Sequence, residues 1–221
     1  MDSKIFNDQG EWDCPRCGKR AAGPKCAACG FSIYAGFIPR FLASVVDALI
    51  VWPFAYLFLF LRNQSLDAYW VVTVFGFCFY RFYHIFFVAQ WGQTPGKMIA
   101  RIKVVRLDGS PVGWREAFLR NSVETFLAAI VYFLELKAAA HVSAVDYAAA
   151  AVSSRAALVQ AFVPSYTVVI SWLSKGYVMS EFVVLWLNRK KRAIHDFIAG
   201  TVIIHDPRLP LFPWQSKAEK G

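Results

Sequence analysis

"FLASVVDALIVWPFAYLFLFL", Phe41 to Leu61, holds a single ionisable residue, Asp47, in 21 positions. About 20 mostly apolar residues are enough to cross a hydrocarbon core roughly 30 Å thick. The next block, Ala68 to Ala89, carries only Arg81 and His84 and is equally long. One such block could be a core helix of a soluble domain, but two neighbouring blocks of this length point to lipid as solvent. Composition agrees, with 57% hydrophobic, 17% aromatic and only 18% charged residues in a chain of 221. A soluble domain of that size needs more polar surface.

From these two blocks the remaining spans follow. Span 1 is read from about Pro39 to Leu61 and span 2 from about Ala68 to Trp91. Span 3 runs from about Glu116 to Leu136, interrupted by Arg120 and Glu124. Span 4 runs from about Tyr166 to Leu187 and carries Lys175 and Glu181. Residues 138–165 are Ala-rich with Asp146 and Arg155, too polar to span, and are read as an amphipathic helix on the outer surface.

The net charge of +9 could signal nucleic acid, but its placement fits the basic inner face of a membrane protein, and no nucleic-acid partner is expected. Lys97, Arg101, Lys103, Arg106, Arg115 and Arg120 fall in one inter-block region, and Arg189, Lys190, Lys191 and Arg192 in another. The Arg62–Asp67 link is nearly neutral. The asymmetry places both termini and the 97–120 region in the cytoplasm. Residues 1–36 lack the apolar core of a signal peptide. Within the basic loop, "GQTPGK" (92–97) fails as a phosphate loop: Gly92 and Gly96 are four positions apart, and Met98 stands where a hydroxyl is needed. "IKVV" after it and "GTVIIHD" (200–206) read as short strands that pair into a small cytoplasmic sheet, or as irregular loops rich in β-branched residues.

"CPRCGKRAAGPKCAACG" sets Cys14 and Cys17, then Cys26 and Cys29, in two CxxC knuckles, each followed by glycine. Four thiolates at this spacing converge tetrahedrally on a metal, expected to be structural Zn²⁺, because four thiolates leave no open coordination position. The eight-residue spacer makes the module a minimal ribbon. An iron site or two disulfides are the rival readings, and disulfides conflict with a cytoplasmic N-terminus. Cys78 is read as a packing residue.

Charges within spans cost about 2.5–3.5 kcal/mol each and need a reason. At about 1.5 Å of rise per residue, Asp47 and His84 lie about 10 Å from the cytoplasmic ends, Arg81 about 15 Å, and Glu124 and Glu181 about 10–12 Å. Together they form one polar layer: either a site for a transported ion or buried pairs, chiefly Asp47 with Arg81, that fix helix packing. Arg40 lies two turns before Asp47 on the same face.

"YAGFIPRFLASVVDALIV", "GQTPGKMIARIKVVRLDGSPVGWREAFLRN" and "RKKRAIHDFIAGTVII", in that order, resemble the RDD family of bacterial membrane proteins. Its naming Arg and two Asp map onto Arg40, Asp47 and Asp196. The N-terminal cysteine module is similar to zinc ribbons fused to bacterial membrane proteins. The resemblance implies a multi-pass inner-membrane protein, with some relatives linked to sodium or proton exchange, while 138–165 departs from the compact pattern as an insertion. Overall the chain is expected to be an all-α membrane protein with about four transmembrane helices, a small cytoplasmic β element and an N-terminal four-cysteine zinc ribbon. The division is 1–33 ribbon, 34–206 membrane domain, 207–221 cytoplasmic tail. Transport through the layer of Arg40, Asp47, Arg81, His84, Glu124, Glu181 and Asp196 is one function. The other is an adaptor recruiting a cytoplasmic protein through the ribbon and basic surface. No enzyme is expected, since the His195–Asp196 pair has no accompanying nucleophile. Four helices enclose a path poorly, so transport would require a homo-oligomer in the bilayer.

Overall fold

The computed structural model describes residues 5–7 and 9–206. The side chains of Glu181, Phe182 and Trp186, and the expected tail 207–221, lie outside the described residues. In chain order the elements are β1 (Glu11–Asp13), β2 (Arg20–Ala22), α1 (Phe37–Arg62), α2 (Leu66–Trp91), α3 (Pro95–Ile99), β3 (Ile102–Arg106), α4 (Trp114–Ala139), α5 (Ala144–Ala149), α6 (Arg155–Gln160), α7 (Thr167–Leu187), α8 (Ile194–Ile198) and β4 (Thr201–His205). Helices α1, α2, α4 and α7 are each long and apolar enough to cross a membrane. At 26 residues, α1, α2 and α4 each rise about 39 Å, more than the hydrocarbon core requires. Their apolar side chains stay largely exposed, as lipid-facing helices should.

The chain forms two compact units. One comprises Met1–Asp47, Ile85–Arg120 and Ser180–Gly221; the other comprises Ala48–His84 and Asn121–Met179.

At the centre of the first unit is a small sheet. β3 and β4 pair antiparallel, with Ile102 opposite His205 and Arg106 opposite Thr201. The other edge of β4 is taken by residues 33–35: Ala35 N–H donates to Ile203 O (3.0 Å) and His205 N–H donates to Ile33 O (2.8 Å). Alternation along these strands divides the core. Val105, Val202 and Ile204 join Phe6, Trp12, Cys14 and Cys26 of the N-terminal module. Ile102, Val104 and Ile203 join Ala43 of α1, Ile85 and Val88 of α2, and Ala117 of α4. Apolar side chains on both faces explain why "IKVV" and "TVII" read as nearly unbroken apolar runs. The paired-strand expectation is met, and the sheet lies inside the unit.

The second unit corrects the reading of 138–165 as one amphipathic helix. The segment folds into two short helices, α5 and α6, joined by an extended Ala150. Ser143 caps α5, its Oγ accepting from Asp146 N–H at 3.1 Å. Tyr147 is buried and donates through Oη to Arg62 O (3.0 Å). Arg155 donates to the carbonyls of Asn63 (2.7 Å), Gln64 (2.9 Å), Ala148 (3.1 Å) and Ala150 (3.2 Å). One arginine thus satisfies otherwise orphaned carbonyls at the end of α1. A cluster of Tyr69, Ala138, Ala139, Val142, Tyr147 and Val159 closes around this seam.

Candidate functional site

Each cysteine knuckle is built by a tight turn. Gly18 N–H donates to Cys14 O (2.9 Å) and Gly30 N–H to Cys26 O (2.8 Å). Both glycines have positive φ, 69° and 72°, where a Cβ would be strained. The four sulfurs lie within 4.8 Å of one another, with Cys14–Cys29 at 3.5 Å and Cys17–Cys26 at 3.6 Å. Tetrahedral bonds of about 2.3 Å to Zn²⁺ put neighbouring sulfurs roughly 3.8 Å apart, so the donor set fits a four-thiolate ion. All four are free thiols, with no disulfide among them. Burial raises the Cys14 thiol to about 12. Burial also acts to raise Cys26, but backbone N–H groups of Ala28 and Cys29 outweigh it and bring that thiol down to about 7. Trp12, buried against the module, donates through Nε1 to Gly23 O (2.9 Å).

Asp196, also in the first unit, is fully buried near the start of α8. Its Oδ2 accepts from Arg40 Nη1 (2.8 Å) and from Ala193 N–H (2.9 Å). Its Oδ1 accepts from Arg120 Nη1 and from Thr201 Oγ1 (3.3 Å). Burial alone would push this carboxyl up, but Arg120, His195 and Arg40 outweigh it and hold it far below the ordinary carboxylate range. Arg40 also donates to Ala35 O (3.1 Å) and to Lys191 O. His195 Nε2 sits 2.7 Å from Arg120 Nη2. Arg192 donates to Thr201 O (3.0 Å) and Asp196 O (2.8 Å). The result is a clamp tying α1, α4, α8 and β4 through one carboxylate.

Asp47 does different work. Its Oδ2 accepts from Thr94 Oγ1 (2.5 Å) and its Oδ1 from Gly96 N–H (2.7 Å). Thr94 is the N-cap of α3 and Pro95 its first residue, so the carboxylate satisfies the helix start from outside. Gly96 is obligatory, because a Cβ there would stand 2.1 Å from Ala43 O and 2.7 Å from Asp47 Cγ. Gln93 completes the join, donating to Ile102 O at 3.1 Å. "QTPG", which fails as a phosphate loop, is thus the docking point of α3 on α1. The signal was present as a Thr-Pro helix start, but a five-residue helix shows no periodicity to read. Beside it, Lys97 Nζ lies 3.5 Å from Thr94 Oγ1. Burial and then Arg120 lower this lysine to about 8, against the opposing pull of Asp47.

In the second unit, Arg81 of α2 pairs with Glu124 of α4 at 3.2 Å. The Arg81 guanidinium lies over Tyr80, 5.2 Å from the ring centroid. His84 meets the rings of Tyr80 (4.9 Å) and Tyr83 (5.2 Å) edge-on. Arg81 Nε, Thr73 Oγ1 and Thr125 Oγ1 are buried with no hydrogen-bond partner among the described residues. The pairing of Asp47 with Arg81 expected from their depths does not form. Instead Glu124 pairs with Arg81, while Thr94 and Gly96 occupy both oxygens of Asp47. Arg120, Thr94 and Thr201 had no assigned role in the sequence reading, since nothing local links them to Asp47 or Asp196.

Four apolar helices long enough to span a bilayer, with buried charged groups and short strands, define a multi-pass membrane protein. The chain belongs to the RDD family, whose pattern it matches over residues 34–200. Arg40, Asp47 and Asp196 all fall within the matched segment. Neither a curated protein nor a solved structure matches the chain.

Proposed function

We propose that this protein moves a small ion or solute across the bacterial inner membrane, with both termini cytoplasmic. Its transport groups are Arg81, Glu124 and the neighbouring threonines of the second unit. The observation that carries this reading is the Arg81–Glu124 pair. Each residue lies about 15 Å along its helix from the Trp91 or Trp114 end, well inside hydrocarbon, where ionisable groups are retained chiefly for function. The orphaned polar atoms of Thr73, Thr125 and Arg81 are further support, because water along a path would satisfy all three, and a passing cation the two threonine oxygens. The clamp around Asp196 and the cap formed by Asp47 have their oxygens occupied and read as frame, as does His195, which we take to be non-catalytic. Exchange of Na⁺ against a proton gradient is the first activity to test in proteoliposomes. Glu124→Gln should abolish flux, while Asp47→Asn should keep most of it per folded protein. Flux undiminished by Glu124→Gln would overturn this assignment.

The exposed Lys19, Arg20 and Lys25 of the cysteine module favour a second reading, an adaptor that recruits an acidic cytoplasmic partner. No flux from folded wild type, with loss of cellular function when these three are changed to Glu, would establish that reading instead.

A further inference from the structure

A cavity of 330 Å³ opens within the second unit. Along α1 it is lined from Val51 through Ala55 and Phe58 to Arg62, a length of about 16 Å at the helical rise. Arg62 is the charged residue of its wall, and no carboxylate lines it. Glu135 lies within electrostatic reach of Arg62 but not in the lining.

The Arg62 guanidinium has five N–H donors, yet among the described residues it makes no hydrogen bond and no ion pair. Its contact is with the Tyr69 ring face, 5.3 Å from the centroid, and its Nε is buried without a partner. Thr73, also in the wall and 4% exposed, has an orphaned Oγ1. The end of α1 is held in place by Tyr147 on Arg62 O and Arg155 on Asn63 O, so the unpaired cation is fixed beside the cavity. Two further lining residues, Leu59 and Tyr80, are 45% and 40% exposed on helices long enough to cross the bilayer. The mouth therefore opens towards acyl chains.

An apolar trough with an unpaired guanidinium at its interfacial end matches the outline of one amphiphile. We infer that the second unit binds an anionic phospholipid. Its phosphate pairs with Arg62 and one acyl chain lies along Phe58, Ala55 and Val51. The guanidinium matches a phosphate bidentately. Head-group selectivity follows from net charge, because the phosphate of phosphatidylcholine is already balanced by its own quaternary ammonium, and the trough gives chain selectivity. This site shares Thr73 with the proposed transport path but rests on Arg62 and the trough, and its test reads lipid retention, which a failure of transport would leave standing.

The test uses the full-length protein in detergent, titrated with phosphatidylglycerol or with phosphatidylcholine of the same chains and followed by native mass spectrometry. Wild type should retain one phosphatidylglycerol in preference to phosphatidylcholine. Arg62→Gln should weaken that retention about tenfold to a hundredfold, the size of one charge-assisted hydrogen bond, and Arg62→Lys should restore part of it. Ala55→Phe, which fills the trough and leaves the charge, should weaken retention of both lipids while preserving the melting temperature. Equal retention by wild type and Arg62→Gln would overturn the site, as would indifference to Ala55→Phe. Stabilisation by inorganic phosphate or a short carboxylate equal to that by phosphatidylglycerol would also overturn it, because the head alone would then suffice.

Discussion

Asp47 has two carboxylate oxygens, and each receives a donor from the start of α3. Asp47→Ala removes both acceptors and leaves the Thr94 O–H and Gly96 N–H buried with nothing to donate to. At about 1–3 kcal/mol for each unsatisfied group, thermal unfolding in detergent should show a large loss. Asp47→Asn keeps one acceptor and should lose less. The neighbouring test is Gly96→Ala. With the added carbon only 2.1 Å from Ala43 O, α3 must lift from α1, at the roughly 1–3 kcal/mol or more typical of overpacking. If Gly96→Ala melts like wild type, the close approach of these two helices is wrong. Asp196 is the more exacting position. Removing it leaves Arg40 and Arg120 buried without their carboxylate, and breaking a buried pair costs about 3–5 kcal/mol. Asp196→Ala should therefore fail to accumulate in membranes at all.

At the scale of elements, the joint between the cysteine module and β4 has a titratable group in it. His205 packs against Phe31, ring centroids 5.5 Å apart, and burial, followed by Arg40, lowers its value from 6.5 to about 4. The folded state thus disfavours the extra proton and the unfolded state accepts it. Stability is full above pH 6.5 and falls as pH drops towards 4, by at most about 3 kcal/mol. His205→Phe should flatten that part of the melting-versus-pH curve, and an unchanged slope would remove His205 as its source. The module itself should bind one Zn²⁺ per chain. Chelation should release it and expose Trp12, read as a fluorescence shift absent from Trp12→Phe. A full metal analysis finding iron instead would correct the ion but not the ligand set. The long helices were legible because about 20 apolar residues in a row suit a bilayer and little else, and their ends agree with expectation to within three residues. The strands were legible as apolar runs, though only the structure shows both faces covered. The segment 138–165 was not, because its fold depends on Tyr147 and Arg155 reaching carbonyls some 90 positions away. Nor was the division of labour between Asp47 and Asp196 legible, since spacing gives depth along a helix and not which neighbour donates.

The whole molecule raises a question that no single helix answers. Glu124 pairs with Arg81, yet its side chain is 43% exposed at a depth where a single chain meets hydrocarbon. A carboxylate half open to lipid costs several kcal/mol unless water or protein covers it. Four helices provide little wall for a water-filled path, and a second copy is the simplest cover. We therefore expect a homo-oligomer, at least a dimer, with the Glu124 face of α4 at or near the interface. Single cysteines placed at Asn121 and Ala128, one turn either side of Glu124 on the same face of α4, on a background lacking Cys78 should cross-link between chains in native membranes. A cysteine at Ser153, on the joint between α5 and α6, should remain monomeric. Light scattering in mild detergent should give a mass of two or more chains of 25.0 kDa, and Glu124→Leu should leave that mass unchanged while abolishing flux. A monomer that transports at the full wild-type rate after reconstitution would refute the shared path, and Glu124 would then need a water-lined route within one chain.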